Sequence, residues 1–291
     1  MKTRLYADLT AFVRAACTHS SHLDREVPLL PFYVREHPVG WIRPAFADVL
    51  RRWPHVFDAT GAFVSMRAAP DTVHGRTAAM AEVTRALAAD GVIRGWRDEL
   101  VSISHHYAAP ELLRIERAAT RHFGMMAYGA HLNGFTRRRD EPQLWIARRS
   151  ASKSVDPDRL DNLVGGRVSC GYTVGETIRK EAWEEAGIPA PLMAGLACAS
   201  VVRVEYSVPE GLHRETLFVH DLWLPEDFRP QNQDGEVARL YCLGIPEAIE
   251  AILAGEFTLD AGAVTVDALV RSGILAPEDP QYLELVRLLR P

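Results

Sequence analysis

The 291-residue sequence holds only four cysteines, and no two of them form a Cys-x-x-Cys pair. Cys17, Cys170, Cys198 and Cys242 are scattered, which argues against a disulfide framework or a cysteine zinc site and for reduced thiols. No apolar run approaches the ~20 residues of a membrane span. The start, Met1 to Tyr6, lacks the apolar core and cleavage site of a signal peptide. A basic surplus is also missing: the net charge is −5, whereas a general nucleic-acid binder carries excess Lys and Arg. Repeats and low-complexity segments are absent. These lacks lead to the expectation of a cytoplasmic globular protein without nucleic-acid or membrane partners.

The chain is long enough for two modest domains. From Leu5 to about Cys17 apolar residues recur at helical spacing. Short extended pieces follow at Pro31–Val34 and Pro38–Pro44, then a helix from Ala45 to Arg52 and a hairpin from Phe57 to Met66 around Thr60-Gly61. Ala78–Ala89 reads as a helix stopped by Gly91. Glu111–Thr120 is expected to be a linking helix. A first domain over residues 1–120, of unknown role, and a second over 121–291 are therefore expected.

Beyond Arg121 the pattern changes to strands. Met125–Phe135 and Leu144–Arg148 form an expected pair across the polar turn 137–142. Leu160–Val164 is a short strand that runs into Gly165-Gly166. A helix then opens with Thr173 as N-cap and Glu176 at the third position, the signature of a capping box. Val174, Ile178, Ala182 and Ala186 give it an apolar stripe, and Gly187 ends it. Strands over Leu196–Val208 and Thr216–Trp223 follow, and helices from Ile245 to Leu253, Ala263 to Arg271 and Gln281 to Leu289 finish the chain.

The chemistry concentrates on the capped helix. Glu181, Glu184 and Glu185 stand at i, i+3 and i+4, so three carboxylates share one face and repel one another unless a cation sits among them. Hard oxygen ligands suit Mg²⁺ or Mn²⁺ bridging a diphosphate. Upstream, Arg149, Lys153 and Arg159 lie in or beside a loop able to reach phosphates. Glu236, in Asp234-Gly235-Glu236, is a candidate ligand or general base, with an exposed turn residue as the plain alternative. Trp96 and Arg97 form either a platform for a ring and a phosphate or a salt-bridged junction. Trp96, Trp145, Trp223 and Tyr206 are able to stack on a ligand ring, although each is more often a core residue than a platform.

The segment from Gly166 to Ile188 resembles the Nudix box, whose pattern is G-x5-E-x7-R-E-U-x-E-E-x-G-U with U a bulky apolar residue. Gly166, Glu181, Glu184, Glu185, Gly187 and Ile188 fall on their positions without a gap. Three positions depart: Tyr172 replaces the first Glu, Lys180 replaces the Arg, and Ala182 is small. The segments 160–166, Glu215–Leu222, Leu224–Phe228, Asp234–Val237 and Gly95–Glu99 extend the resemblance to the thiamine-pyrophosphokinase-related Nudix proteins.

That resemblance implies an α/β (α+β) fold: a Nudix α/β/α sandwich with a mixed sheet, preceded by a smaller α+β domain. It implies Mg²⁺-dependent hydrolysis of a small organic diphosphate, thiamine diphosphate or its oxy and oxo analogues, to the monophosphate. By resemblance, Glu181, Glu184, Glu185 and the Gly165 carbonyl hold the metal, and Glu181, Glu184 and Glu236 serve catalysis. Lys180, Gly166 and Tyr172 support them. A lysine lacks the bidentate fork of arginine, and a phenol is neutral near pH 7, so looser ligand positioning and weaker catalysis are expected. A homodimer is the expected assembly. The rival readings are a nucleoside-diphosphate hydrolase, a non-catalytic diphosphate-binding module, and an isomerase of isopentenyl diphosphate. The isomerase is disfavoured because Leu163-Val164-Gly165 lacks its cysteine.

Overall fold

The computed structural model describes residues 2–17, 29–67 and 70–290. Two sheets organise it. The first has four strands in the order β2-β1-β4-β3, with β1 Leu30–Val34, β2 His37–Ile42, β3 Phe57–Asp58 and β4 Val64–Met66. Helices α2 (Pro44–Leu50) and α3 (Val73–Ala89) join this sheet, and a small hairpin of β5 (Leu100–Ile103) and β6 (Leu113–Glu116) packs on α3. Phe32, Phe46, Phe57 and Phe123 meet at the centre of its core.

The second sheet has seven strands: β7 (Ala127–Arg138), β8 (Glu141–Arg149), β9 (Leu160–Asn162), β10 (Val164–Arg167), β11 (Cys198–Val208), β12 (Gly211–Trp223) and β13 (Val237–Gly244). It is mixed, because β12 runs parallel to β7 while the other pairings are antiparallel. β7 and β8 pair only over residues 134–138 and 141–145 and then diverge. The stretch 160–167 fills the gap, with β9 on β8 and β10 on β7. Gly134 permits this wedge, since a Cβ there would lie 2.2 Å from the Leu163 side chain. Gly165-Gly166 is thereby delivered to the middle of the sheet.

Helix α4 (Val174–Ala186) covers one face through Ile178, Ala182 and Ala186. Its capping box is formed as expected, and Gly187 closes it with φ +62° in the left-handed region. The opposite face carries α5 (Ile245–Leu253), α6 (Leu259–Arg271) and α7 (Tyr282–Leu289). The result is the expected sandwich of helices about a mixed sheet, with a separate α+β unit before it.

Four details differ from the sequence expectations. The first helix, α1 (Lys2–Cys17), packs against α6 and α7 rather than within the unit formed by the residues that follow it. Residues 111–120 are not a helix: Leu113 and Ile115 alternate inward on β6, and only Arg117–Ala119 makes a 3-10 turn. The polar turn after β7 is far shorter than 137–142. Arg139 and Asp140 alone bend the chain, both at positive φ as a two-residue hairpin turn requires. Finally, Val237–Gly244 forms an edge strand, β13, whose weak alternation gave no sequence signal.

Candidate active site

A cleft of about 670 Å³ lies between the two units, and both contribute walls. From the second unit come Gly165, Gly166, Lys180, Glu181, Glu184, Arg149, Lys153 and Glu236. From the first come Arg94, Arg97, Glu99 and Arg117. Gly166 has to be glycine here, because a Cβ would sit 2.3 Å from Cγ of Glu181. The helix can therefore bring its carboxylates directly against the β10 backbone.

The three box carboxylates are held differently. Lys180 donates to Glu184 at 2.5 Å and to Glu181 at 3.2 Å, so the lysine pairs as expected with box carboxylates. Glu185 lies behind them, buried, and among the described residues accepts the Gly165 amide alone, at 2.8 Å. Burial pushes the Glu185 carboxyl up to about 8, which the Gly165 amide and Lys153 offset only in part. Burial also raises Glu181, against the pull of Lys180. Glu181 and Glu185 are hard-oxygen donors short of positive charge, which is the donor chemistry a divalent cation takes, while the three box carboxylates stand further apart than 4.8 Å as a set. Gly165 brings its N–H to Glu185.

A second cluster fails the same test. Among the described residues, His213, Glu215 and Asp260 are the group of potential ligands whose atoms lie within 4.8 Å of one another. Two guanidinium groups already serve it: Arg121 donates to Nδ1 of His213 at 3.1 Å, and Arg167 to Glu215 at 3.0 Å. His213 Nε2 in turn lies 3.1 Å from Asp260. Burial opposes ionisation of Asp260, yet His213 and Arg121 outweigh it and hold the carboxyl well below the usual range. Glu215 is lowered too, burial again being outweighed by Arg167 and His213. Charge is balanced there without an ion, so the cluster reads as a buried salt-bridge network in the cleft wall.

Several sequence candidates change character. Arg149 lines the cleft, but its three guanidinium nitrogens hold Asp161 at 2.7 Å and the carbonyls of Val155 and Asp156 at 2.9 and 3.0 Å. It shapes the 150–158 loop and has little left for a phosphate. Arg159 is a correction: it points away and donates to the Gly255 carbonyl, outside the cleft. Lys153 lines the cleft and pairs with Glu236, whose other oxygen is 3.7 Å from Arg97. Glu236 is thus tied to two cations rather than standing free as a base. Tyr172 is half exposed and does not line the cleft, so its phenol has no place among the box carboxylates.

The aromatic candidates take the core and structural roles that were their plain alternative. Among the described residues, no Trp, Tyr or Phe lines the cleft. Trp145 is buried in the core under α4, Tyr206 is bonded to Asp260, and Trp223 stacks on Phe135. Trp96 packs on the first core and donates to Asp98 at 2.7 Å. Its neighbour Arg97 does reach the cleft. Residues that sequence patterns did not reveal are Arg117, Arg121, His131, Arg167, His213 and Asp260, which come together only through strand pairing and domain contact.

Comparison with known proteins bears on this geometry. Residues 131–257 match the family model described as NUDIX domain, and residues 10–127 match a domain of unknown function (DUF4743). The chain is 36% identical over 287 residues to Nudix hydrolase 24, chloroplastic, of Arabidopsis thaliana, spanning 98% of this chain and 79% of that relative. It is 33% identical over 294 residues to Nudix hydrolase 20, chloroplastic, of the same plant, again spanning 98% and 79%. Among solved structures, DR0079 from Deinococcus radiodurans aligns with a TM-score of 0.41 and 27% identity over 58% of this chain and 96% of that one.

Proposed function

The chain belongs to the Nudix hydrolase family, and from that footing we propose that it hydrolyses thiamine diphosphate, or the oxy and oxo analogues of thiamine diphosphate, to the monophosphate. As a Nudix hydrolase it acts on diphosphate-containing compounds, and enzymes of the family generally use a divalent metal. The observation that carries the proposal is the meeting of Glu181 and Glu184, backed by the buried Glu185, with cations from both units in one cleft. Support for the thiamine half comes from the resemblance in segments outside the box.

Glu181, Glu184 and Glu185 would hold Mg²⁺ or Mn²⁺, which when bound neutralises phosphate charge and acidifies water. Arg97, Arg117 and Lys153 are set to counter the charge of the diphosphate, the two arginines by forked hydrogen bonds. Water adds to the terminal phosphorus, the anhydride P–O bond breaks, and the bridging oxygen leaves with the organic monophosphate. Inorganic phosphate is the second product. Glu236 orients Lys153 and Arg97 in this scheme. Because no Trp, Tyr or Phe of the described residues faces the cleft, recognition of the organic half relies on polar contacts. A homodimer belongs to the same reading and is checked by light scattering.

The test is a panel of diphosphates with Mg²⁺, followed by phosphate release: thiamine diphosphate, its oxy and oxo forms, nucleoside-diphosphate sugars and isopentenyl diphosphate. Release from the thiamine compounds, lost in Glu185→Gln, is expected. Tight binding of one compound with no turnover of any would instead favour a binding module.

A further inference from the structure

His131 sits on β7 beside Gly165 of β10 and lines the cleft, although neither the box nor its carboxylates involve it. The orientation of its ring protons follows from a chain of hydrogen bonds that begins 140 residues later, at Arg271 (its number minus 131). A guanidinium can only donate, and Arg271 donates to Asp221, its Nη2 at 3.1 Å from Oδ1. Asp221 can only accept, so the atom of Asn133 that meets it at 3.0 Å is the amide nitrogen. The Asn133 oxygen is then left as acceptor for Nδ2 of Asn162, at 3.0 Å. A further contact of that nitrogen, to the Ala261 carbonyl at 3.4 Å, agrees, because a carbonyl can only accept.

Asn162 therefore presents its oxygen to Nδ1 of His131, 2.8 Å away. In the neutral ring the proton must be on Nδ1, and Nε2 carries a bare lone pair. Among the described residues Nε2 has no hydrogen-bond partner, and it is not one of the sealed, unsatisfied polar atoms of the interior. Gly165 keeps this edge of the ring clear: a Cβ there would lie 3.1 Å from Cε1 and 3.3 Å from Nε2. Asn133 and Asn162 are each 1% exposed, so water cannot easily re-pair the chain and reverse it.

We propose that Nε2 of His131 is a specificity-determining acceptor that takes a hydrogen bond from an N–H or O–H group on the organic half of the substrate. The inference rests on the reading of this cleft as the diphosphate site. A phosphate oxygen without a proton has nothing to donate, so a lone pair is wasted on the diphosphate itself. It discriminates instead among organic groups, and a site built around a polar partner rejects analogues that lack it far more strongly than an apolar pocket does. The substrate class is thus a diphosphate ester bearing a donor, with alkyl diphosphates excluded.

The experiment measures binding of thiamine diphosphate, which carries an exocyclic amino donor, and of its deamino analogue, to the full chain by calorimetry. ¹⁵N NMR of the ring nitrogens of His131 is recorded alongside. The wild-type protein is expected to favour the amino compound about tenfold or more, with Nδ1 protonated and Nε2 bare. His131→Phe is expected to bring the ratio to about one, and His131→Gln, which offers an amide oxygen, to restore part of it. Equal affinities in the wild type, no binding of either compound, a ratio that survives in His131→Phe, or an Nε2-protonated ring would each overturn the proposal. Should His131→Phe not fold, the His131→Gln ratio and the NMR decide. Phosphate release from the same two compounds separates the readings: full turnover with equal affinities sinks the acceptor alone, and no turnover with a persistent ratio sinks the hydrolase alone.

Discussion

Ser169, on the loop that follows Gly165-Gly166, donates its hydroxyl to Glu99 of the first unit at 2.6 Å. The next amide, of Cys170, donates to the Leu100 carbonyl at 2.9 Å, and Arg117 holds the other oxygen of Glu99 at 2.8 Å. The first unit therefore grips the stretch of the box that lost its first glutamate. Glu99→Ala should leave Arg117 and Ser169 without their partner and cost about 1–3 kcal/mol, visible as a lower urea midpoint. Burial opposes ionisation of Glu99, but Arg117 and Ser169 hold its carboxyl below the ordinary glutamate value of 4.5. A lowered folded value means stability present above 4.5 and lost as pH falls further, so the wild type and variant should converge in acid. Parallel pH curves for the two proteins would contradict this.

Glu185 supplies a pH signature of the opposite sign. Its carboxyl is raised from 4.5 to about 8 by burial, so the folded protein retains a proton there that the unfolded chain loses. Without metal, stability should fall as pH rises from 4.5 toward about 8. Glu185→Gln removes that slope. Added Mg²⁺ should raise the melting temperature more at pH 8 than at pH 5, and in Glu185→Gln it should raise it little at either. Equal Mg²⁺ shifts in the two proteins would show that the carboxylate is not a ligand.

The His213–Asp260 pair separates a structural cluster from a metal site. Asp260→Asn removes the buried carboxylate that accepts from His213 and balances the charge of Arg121, and should cost about 3 kcal/mol because a buried cation loses its compensating charge. The Mg²⁺-induced rise in melting temperature should be unchanged. A lost Mg²⁺ response in Asp260→Asn would move the metal to this cluster.

Tyr172 was expected to weaken catalysis by taking the place of a ligand. Its half-exposed position outside the cleft predicts that Tyr172→Glu changes neither Mg²⁺ dependence nor turnover by more than about twofold, since surface changes away from partners are usually small. A large gain in either would mean that the loop can swing the new carboxylate inward.

Local chemistry decided much of this molecule in advance. The cap at Thr173 and Glu176, the apolar stripe of α4, the glycine stop and the three carboxylates at i, i+3 and i+4 are legible in the sequence, because a helix face is set by neighbours three and four residues apart. So is the pair Gly165-Gly166, whose lack of side chains lets that face touch the sheet. Tertiary structure decided what the neighbouring charges do. Arg149 and Arg159 look alike in the sequence, yet one is spent on its own loop and the other turns to Gly255, because hydrogen-bond partners are assigned by strand register and loop closure. The placing of Arg97 and Arg117 against Lys153 and Glu236, and of Asn162 against His131, joins segments 31 to 139 residues apart, by subtraction of their numbers. No local pattern encodes such meetings; they arise when β9 and β10 wedge open the β7–β8 pair and the two units close on the cleft.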